Sequence, residues 1–333
     1  MKLSRRAFLG VAAAAGLVAC APNNGGSSAS SSSGGGTALT LGLTYVPDIQ
    51  FAPVYVAHKQ GWYAEAGLDV TLRHHGANEQ LLGALQTGDE DVVYAGGGEM
   101  LQARGEGIPV VDFATLYQQY PVAVIVPDAS PVRSLSDLRG HSIGLPGEYG
   151  ENWYCLLAVL AQAGLTRDDL DIQSIGYTQH AALTGGKVDS VVGYVNNDVV
   201  RFGEAGFAIR TLTVDDPPLV SVGFGTLDDT LAARPDDLRA LLAGTEKGAS
   251  FCAQNPAQAV ELSSEYIPTL TDDDQKAVAQ ATLTATMPLY QSDRFGQQDA
   301  GRWGRMATFF ASNGLVSQEV PAEEAFSTVI TEG

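Results

Sequence analysis

Leu41-Gly42-Leu43-Thr44-Tyr45-Val46-Pro47-Asp48-Ile49-Gln50-Phe51-Ala52-Pro53-Val54-Tyr55-Val56-Ala57, continued by Lys59-Gln60-Gly61-Trp62-Tyr63-Ala64-Glu65-Ala66-Gly67-Leu68-Asp69-Val70, is the stretch from which the fold can be read. Residues 39–46 form an apolar run of strand length, 53–60 a helical one and 68–73 a second strand. The alternation continues outward. Residues 78–86 read as a helix, 91–94 as a strand, 100–105 as a helix, and 110–116 and 122–126 as strands. Strand and helix signals in turn are the mark of an α/β fold with a mainly parallel sheet.

A second unit of the same kind follows Pro127-Asp128-Ala129-Ser130-Pro131. Ser134-Leu135-Ser136-Asp137-Leu138-Arg139-Gly140 reads as a short capped helix and 141–145 as a strand. Residues 154–163 read as a helix closed by Gly164. Strands at 172–175, 190–192 and 208–213 complete it. Asp215-Asp216-Pro217-Pro218 breaks the pattern, and 220–226 reads as a strand returning to the first unit. From Asp229 onward the apolar spacing is helical almost throughout. The expected organisation is therefore a discontinuous first lobe, 38–127 with 218–333, around a second lobe, 128–217. Crossings near Asp128 and Asp216 would form a two-strand hinge, an arrangement suited to a clamshell that a ligand closes by bridging both halves.

The N-terminus speaks to compartment. Lys2, Arg5 and Arg6 precede an apolar run from Ala7 to Ala19, the layout of a secretory signal and too short to span a bilayer comfortably. Leu17-Val18-Ala19-Cys20 resembles a bacterial lipobox, which implies a signal peptide over 1–20 and lipid attachment at Cys20. Ser4-Arg5-Arg6-Ala7-Phe8-Leu9 also resembles a twin-arginine export signal. Residues 21–37, mostly Gly, Ser and Asn, read as a flexible tether that cannot bury enough apolar surface to order itself.

Charge excludes some partners. The chain has 19 basic and 38 acidic residues, a net charge of −19. Removing the first twenty residues takes away three basic residues and no acidic one, which lowers this to −22. Nucleic acid and anionic lipid surfaces are poor partners for such a chain. Cys155 and Cys252, placed in apolar helices of different lobes, read as buried thiols, since a disulfide between them would hamper closure.

The opening run, together with Gly88-Asp89-Glu90-Asp91-Val92, Leu135-Ser136-Asp137-Leu138-Arg139-Gly140 and Gly186-Lys187-Val188-Asp189-Ser190, resembles the periplasmic binding proteins that carry thiamine-pyrimidine precursors and related solutes. The resemblance covers roughly residues 39–260. It implies a type II periplasmic-binding-protein fold and a monomeric, lipid-anchored solute-binding component of an ABC importer, facing out of the cell and docking to a permease driven by an ATPase. It implies no cofactor and no catalysis. Pyrimidine binders of this group carry Trp-x-Pro-Asn with a His nearby, whereas Tyr45, Pro47, Asp48 and Phe51 stand here. Gln50-Phe51-Ala52-Pro53 looks more like the branch associated with riboflavin uptake. Both ligand classes are flat, nitrogen-rich rings.

Such a ring gains from stacking between aromatic faces and from amides and carboxylates that read its nitrogens. Residues of those types at strand ends, where an open α/β sheet presents its crevice, are the candidates. Tyr45, Asp48, Gln50 and Phe51 occupy the first loop. Tyr94 leads into Gly96-Gly97-Gly98-Glu99, of which Gly96 and Glu99 are candidates, while Tyr117 and Gln118 follow a further strand. In the second lobe they are Tyr149, Tyr194, Asn196 and Asn197. The three glycines could cradle a phosphate, but they lack a P-loop ending and suit close approach of a ligand better. Trp153 reads as core. His74-His75 reads as no metal pair, because adjacent strand residues point to opposite faces and no carboxylate cluster is apparent nearby. Glu148 and Glu151 read as charges complementing a helix N-terminus. An anion receptor for sulfonate or nitrate is the alternative ligand class, though the candidate loops hold Asp48, Glu99 and Glu148 and no arginine. A synthase-like enzyme is the other, and the Cys-rich run it would need is missing.

Overall fold

The computed structural model describes residues 36–76 and 79–332. The export signal, Cys20 and nearly all of the tether lie outside the described residues.

Among the described residues ten strands build two five-stranded sheets. β1 (Thr37–Leu43), β2 (Leu68–His74), β3 (Val92–Gly96), β4 (Val110–Thr115) and β10 (Val222–Leu227) form the first, in the order β2-β1-β3-β10-β4. β5 (Val122–Pro127), β6 (Ser142–Leu145), β7 (Asp171–Ser174), β8 (Ser190–Tyr194) and β9 (Ile209–Leu212) form the second, in the order β7-β6-β8-β5-β9. β1 lies parallel to both β2 and β3, and β6 parallel to both β7 and β8. β10 and β5 run antiparallel to their neighbours. Helices connect the parallel strands, as a crossover between them requires.

Three sequence expectations are corrected. The strand at 122–126, expected in the first lobe, is β5 of the second sheet, so the first crossing comes before it, between β4 and β5. β5 is buried along almost its whole length, and its apolar residues are completed by β8 on one side and β9 on the other. Of the helix expected over 78–86, the described residues 79–82 are not helical, and a turn and a half, Gly83–Thr87, remains, capped by Gly88 in the left-handed region. Thr37, placed in the tether, already pairs with Leu68 in β1.

The helix Pro235–Gln254 packs on the helix Ala52–Lys59 so tightly that a Cβ on Gly248 would sit 1.9 Å from the Pro53 carbonyl oxygen. Only glycine permits that approach. The helix Ala300–Ser312 was expected with the first lobe. Its Trp303, Met306 and Phe310, all fully buried, share a core with Val124, Val192, Tyr154 and Leu101. It thus packs against residues belonging to both halves. Phe326 then bridges back to Asp112 of β4. Cys155 and Cys252 are buried free thiols in two different core clusters.

Candidate functional site

β1 and β3 end at Leu43 and Gly96, β6 and β8 at Leu145 and Tyr194, and the loops that follow these carboxyl ends meet between the two sheets. Here Asp48 caps the 3-10 turn Ile49–Phe51, its Oδ1 accepting from the Gln50 amide at 3.1 Å, and Gln50 is half-buried in that turn. Tyr45 is 41% exposed at the loop tip. Burial raises the pKa of Asp48, while the Gln50 amide and then the Arg201 guanidinium pull it back. Arg201 thus brings an arginine to a region expected to lack one. Asp198 offsets it, its Oδ2 accepting from the Tyr194 amide at 2.7 Å and its pKa held up by burial.

A group of tyrosines lies behind this loop. The Tyr94 and Tyr290 hydroxyls share a hydrogen bond of 2.9 Å, and the Tyr117 ring meets that of Tyr290 edge-on at 4.9 Å. The Tyr117 hydroxyl is buried without a partner of hydrogen-bond geometry. Burial drives the pKa of all three far upward, which keeps them neutral. Tyr290, from the 3-10 turn Met287–Tyr290, is a member that sequence reading missed; Pro288 in that turn is the local signal for it.

On the opposite side Tyr194 ends β8, half-buried, and Asn197 stands at the start of the helix Asp198–Glu204. Asn196 is buried. Its Nδ2 donates to Thr286 Oγ1 at 2.9 Å, which ties this loop to the helix Asp273–Thr286, while its Oδ1 has no partner. Glu151, read from sequence as a helix-end charge, points inward instead. Tyr120 donates to its Oε2 at 2.7 Å, its Oε1 is buried without a partner, and it lies close to Glu99. Tyr149 and Tyr177, 56% and 69% exposed, stand at the rim near Tyr45.

Two candidates go elsewhere. Phe51 is core, packed edge-on against Tyr55, His74 and Tyr94, because its turn inserts it beneath the first loop. Gln118 spends its amide hydrogens on the Thr115 and Gln297 carbonyls and lines an open depression of about 500 Å³ with Gln291 and Gln297. That depression, and another of about 480 Å³ lined by Arg133, Gln162 and Thr211, gathers none of the unpartnered groups. Trp153 is buried, with the Arg167 guanidinium over its ring.

The absence of carboxylates near His75 is also corrected. Glu79 and Glu90 lie with it inside a 4.8 Å cluster, and Arg73 binds both carboxylates at 2.6 Å. That guanidinium already supplies the cation the cluster calls for.

Residues 48–259 match the family described as NMT1/THI5 like. The chain belongs to the NMT1/THI5-like family. A riboflavin-binding protein of Chloroflexus aurantiacus, RibY, is 33% identical over 89% of this chain and 86% of its own length. A formylaminopyrimidine-binding protein of Halalkalibacterium halodurans is 23% identical over 86% and 88%. Among solved structures, the periplasmic aliphatic sulphonate binding protein SsuA of Escherichia coli superposes with a TM-score of 0.68 at 17% identity, covering 86% of this chain and 91% of that one. The fold is that of the periplasmic binding proteins.

Proposed function

We propose that this NMT1/THI5-like protein is the extracytoplasmic solute-binding component of an ABC importer, and that it captures a flat, nitrogen-bearing heteroaromatic vitamin or precursor between its two halves without transforming it. The observation that carries this reading is the gathering around Tyr194, between the two sheets, of the neutral Tyr117, of Glu99 and Glu151 and of Asp198, with Glu151 Oε1 and, two residues beyond Tyr194, Asn196 Oδ1 buried without partners of hydrogen-bond geometry. Buried polar groups are ordinarily satisfied, and a ligand whose edge offers hydrogen-bond partners would satisfy these. A riboflavin-binding relative at 33% identity and a formylaminopyrimidine-binding one at 23% support riboflavin or a thiamine pyrimidine precursor. Arg201 favours an anion, and Asp48 and Asp198 beside it favour a neutral ring instead.

In this reading 38–121 with most of 218–333 moves against 122–217. Closure presents the loaded form to a permease and its ATPase, and Cys20 carries the lipid that holds the protein at the outer face of the membrane. Thermal shift and calorimetry on residues 36–333 test the ligand class with riboflavin, hydroxymethylpyrimidine, its formylated aminomethyl precursor, thiamine, taurine and nitrate. A ligand that binds the folded state alone raises Tm by mass action. Stabilisation by a heteroaromatic is expected; stabilisation by taurine or nitrate alone overturns the ring while keeping a transport role. Turnover of any bound ring would make the protein an enzyme.

A further inference from the structure

The two halves meet at a pair of carboxyl groups for which the described residues supply no cation. Glu99 is the third residue of the helix Gly97–Gly105 and follows β3 of the first sheet, where its Oε2 accepts from the Gly96 amide at 3.1 Å. Glu151 is the second residue of the helix Gly150–Ala163 and follows β6 of the second sheet. A Cβ on Gly96 would stand 2.4 Å from Glu151 Oε1 and 3.0 Å from Glu99 Oε2, so the glycine is what lets both carboxyls approach. A Cβ on Gly150 would in turn stand 3.4 Å from Glu99 Oε1.

The titratable groups that face the pair are Tyr120, Tyr154, Cys155, Tyr177 and Tyr194, all neutral, while the Gly98 amide points at the Glu151 carboxyl and favours its ionised form without reaching hydrogen-bond geometry on Oε1. No lysine, arginine or histidine among the described residues forms an ion pair with either glutamate. Two carboxylates so placed resist ionising together, and without a ligand the pair keeps a proton until the pH passes about 8. Burial and then the Glu99 charge push Glu151 up to about 8, and burial raises Glu99. Glu151 is 6% exposed with Oε1 unpartnered, while Glu99 remains partly open to the space between the sheets.

We propose that Glu151, together with Glu99, is a ligand-reading element that takes an N–H donor of the bound ring on Glu151 Oε1 and turns away anions. The inference rests on the proposed function and names the edge of the ring that the site recognises. A ring imide or an aminopyrimidine carries such a donor; a sulfonate or nitrate brings more negative charge. An N–H donated to Oε1 favours the carboxylate, so ligand binding expels the shared proton and affinity rises with pH up to about 8.

Calorimetry with riboflavin and 4-amino-5-hydroxymethyl-2-methylpyrimidine, each against an analogue whose N–H donors are methylated, tests this at pH 6.5, 7.5 and 8.5. The parent ring is expected to bind about tenfold or more tightly than its methylated analogue, with Kd falling as pH rises. Glu151→Gln keeps an acceptor but no proton and flattens the pH profile. Glu151→Leu removes the acceptor and erases the preference for the parent. Equal affinity for parent and analogue, or an unchanged pH profile in Glu151→Gln, overturns the ligand-reading role and leaves the heteroaromatic function standing. Failure of both rings to bind removes both.

Discussion

The two halves share a strand order and differ in what they bring to it. In each sheet a parallel trio, β2-β1-β3 or β7-β6-β8, is followed by one antiparallel strand and an edge strand. The antiparallel strand is in each case the one that follows a crossing: β5 enters the second sheet directly after β4, and β10 enters the first directly after β9. Yet the first half buries a cluster of hydroxyl-bearing rings, Tyr94 and Tyr117 with Tyr290, whereas the second sets a buried carboxyl and a buried amide, Glu151 and Asn196, near the half-buried ring of Tyr194. A duplicated architecture sets two crevice walls opposite each other, and the chemistry of each wall is free to differ because loop residues do not carry the fold.

The largest test of that comparison concerns what joins the halves. Trp303 sits fully buried in a core shared by residues of both, so Trp303→Ala is expected to cost about 3–5 kcal/mol in urea unfolding. A loss below about 1 kcal/mol would mean that the helix Ala300–Ser312 does not hold the halves together. The next is pH. Burial pushes Asp112 of β4 up to about 7, against the pull of Gln298 and the Ala114 amide. The folded form therefore keeps a proton that the unfolded chain releases above about pH 4. Stability falls as pH rises between these values, by up to about 4 kcal/mol, and Asp112→Asn should flatten that slope. A protein equally stable at pH 5 and pH 7.5 would contradict it.

Smaller effects test the seam. Asn196→Ala removes the bond to Thr286 and should lower stability by about 1–2 kcal/mol, read by chemical denaturation. The same change, like Tyr45→Ala, should weaken ligand binding in calorimetry without unfolding the protein; wild-type affinity in both variants would remove these residues from the site. The smallest is the exposed Arg167–Glu148 pair within the second half, where a double-mutant cycle should return about 0.5 kcal/mol or less. A larger coupling would give Glu148 a role that the surface geometry does not suggest.

Most elements were legible in the sequence because they rest on neighbours along the chain. Residues 68–73 and 110–116 alternate or run apolar as strands do, and Gly164 ends its helix with a left-handed turn that glycine adopts freely. That Tyr45 and Asp48, the tyrosines at strand ends and Asn196 stand in or beside the loops at the carboxyl ends of strands was legible for the same reason: each lies at a recognisable strand end. Phe51 and Gln118 misled, since an aromatic or amide beside a loop can turn into the core or toward a backbone carbonyl with no change in local pattern.

The sequence by itself determined the α/β class, the alternation of elements and the return of β10, all consequences of side-chain periodicity over a handful of residues. Only the tertiary structure decided that β5 belongs to the second sheet, that Tyr290 lies 2.9 Å from Tyr94, and that Glu151 turns inward beside Glu99. The reason is physical: a strand of apolar residues fits either sheet until its partners are counted. Tyr94 and Tyr290 are 196 positions apart, so their meeting is settled by packing, which leaves no trace in the spacing of neighbouring residues.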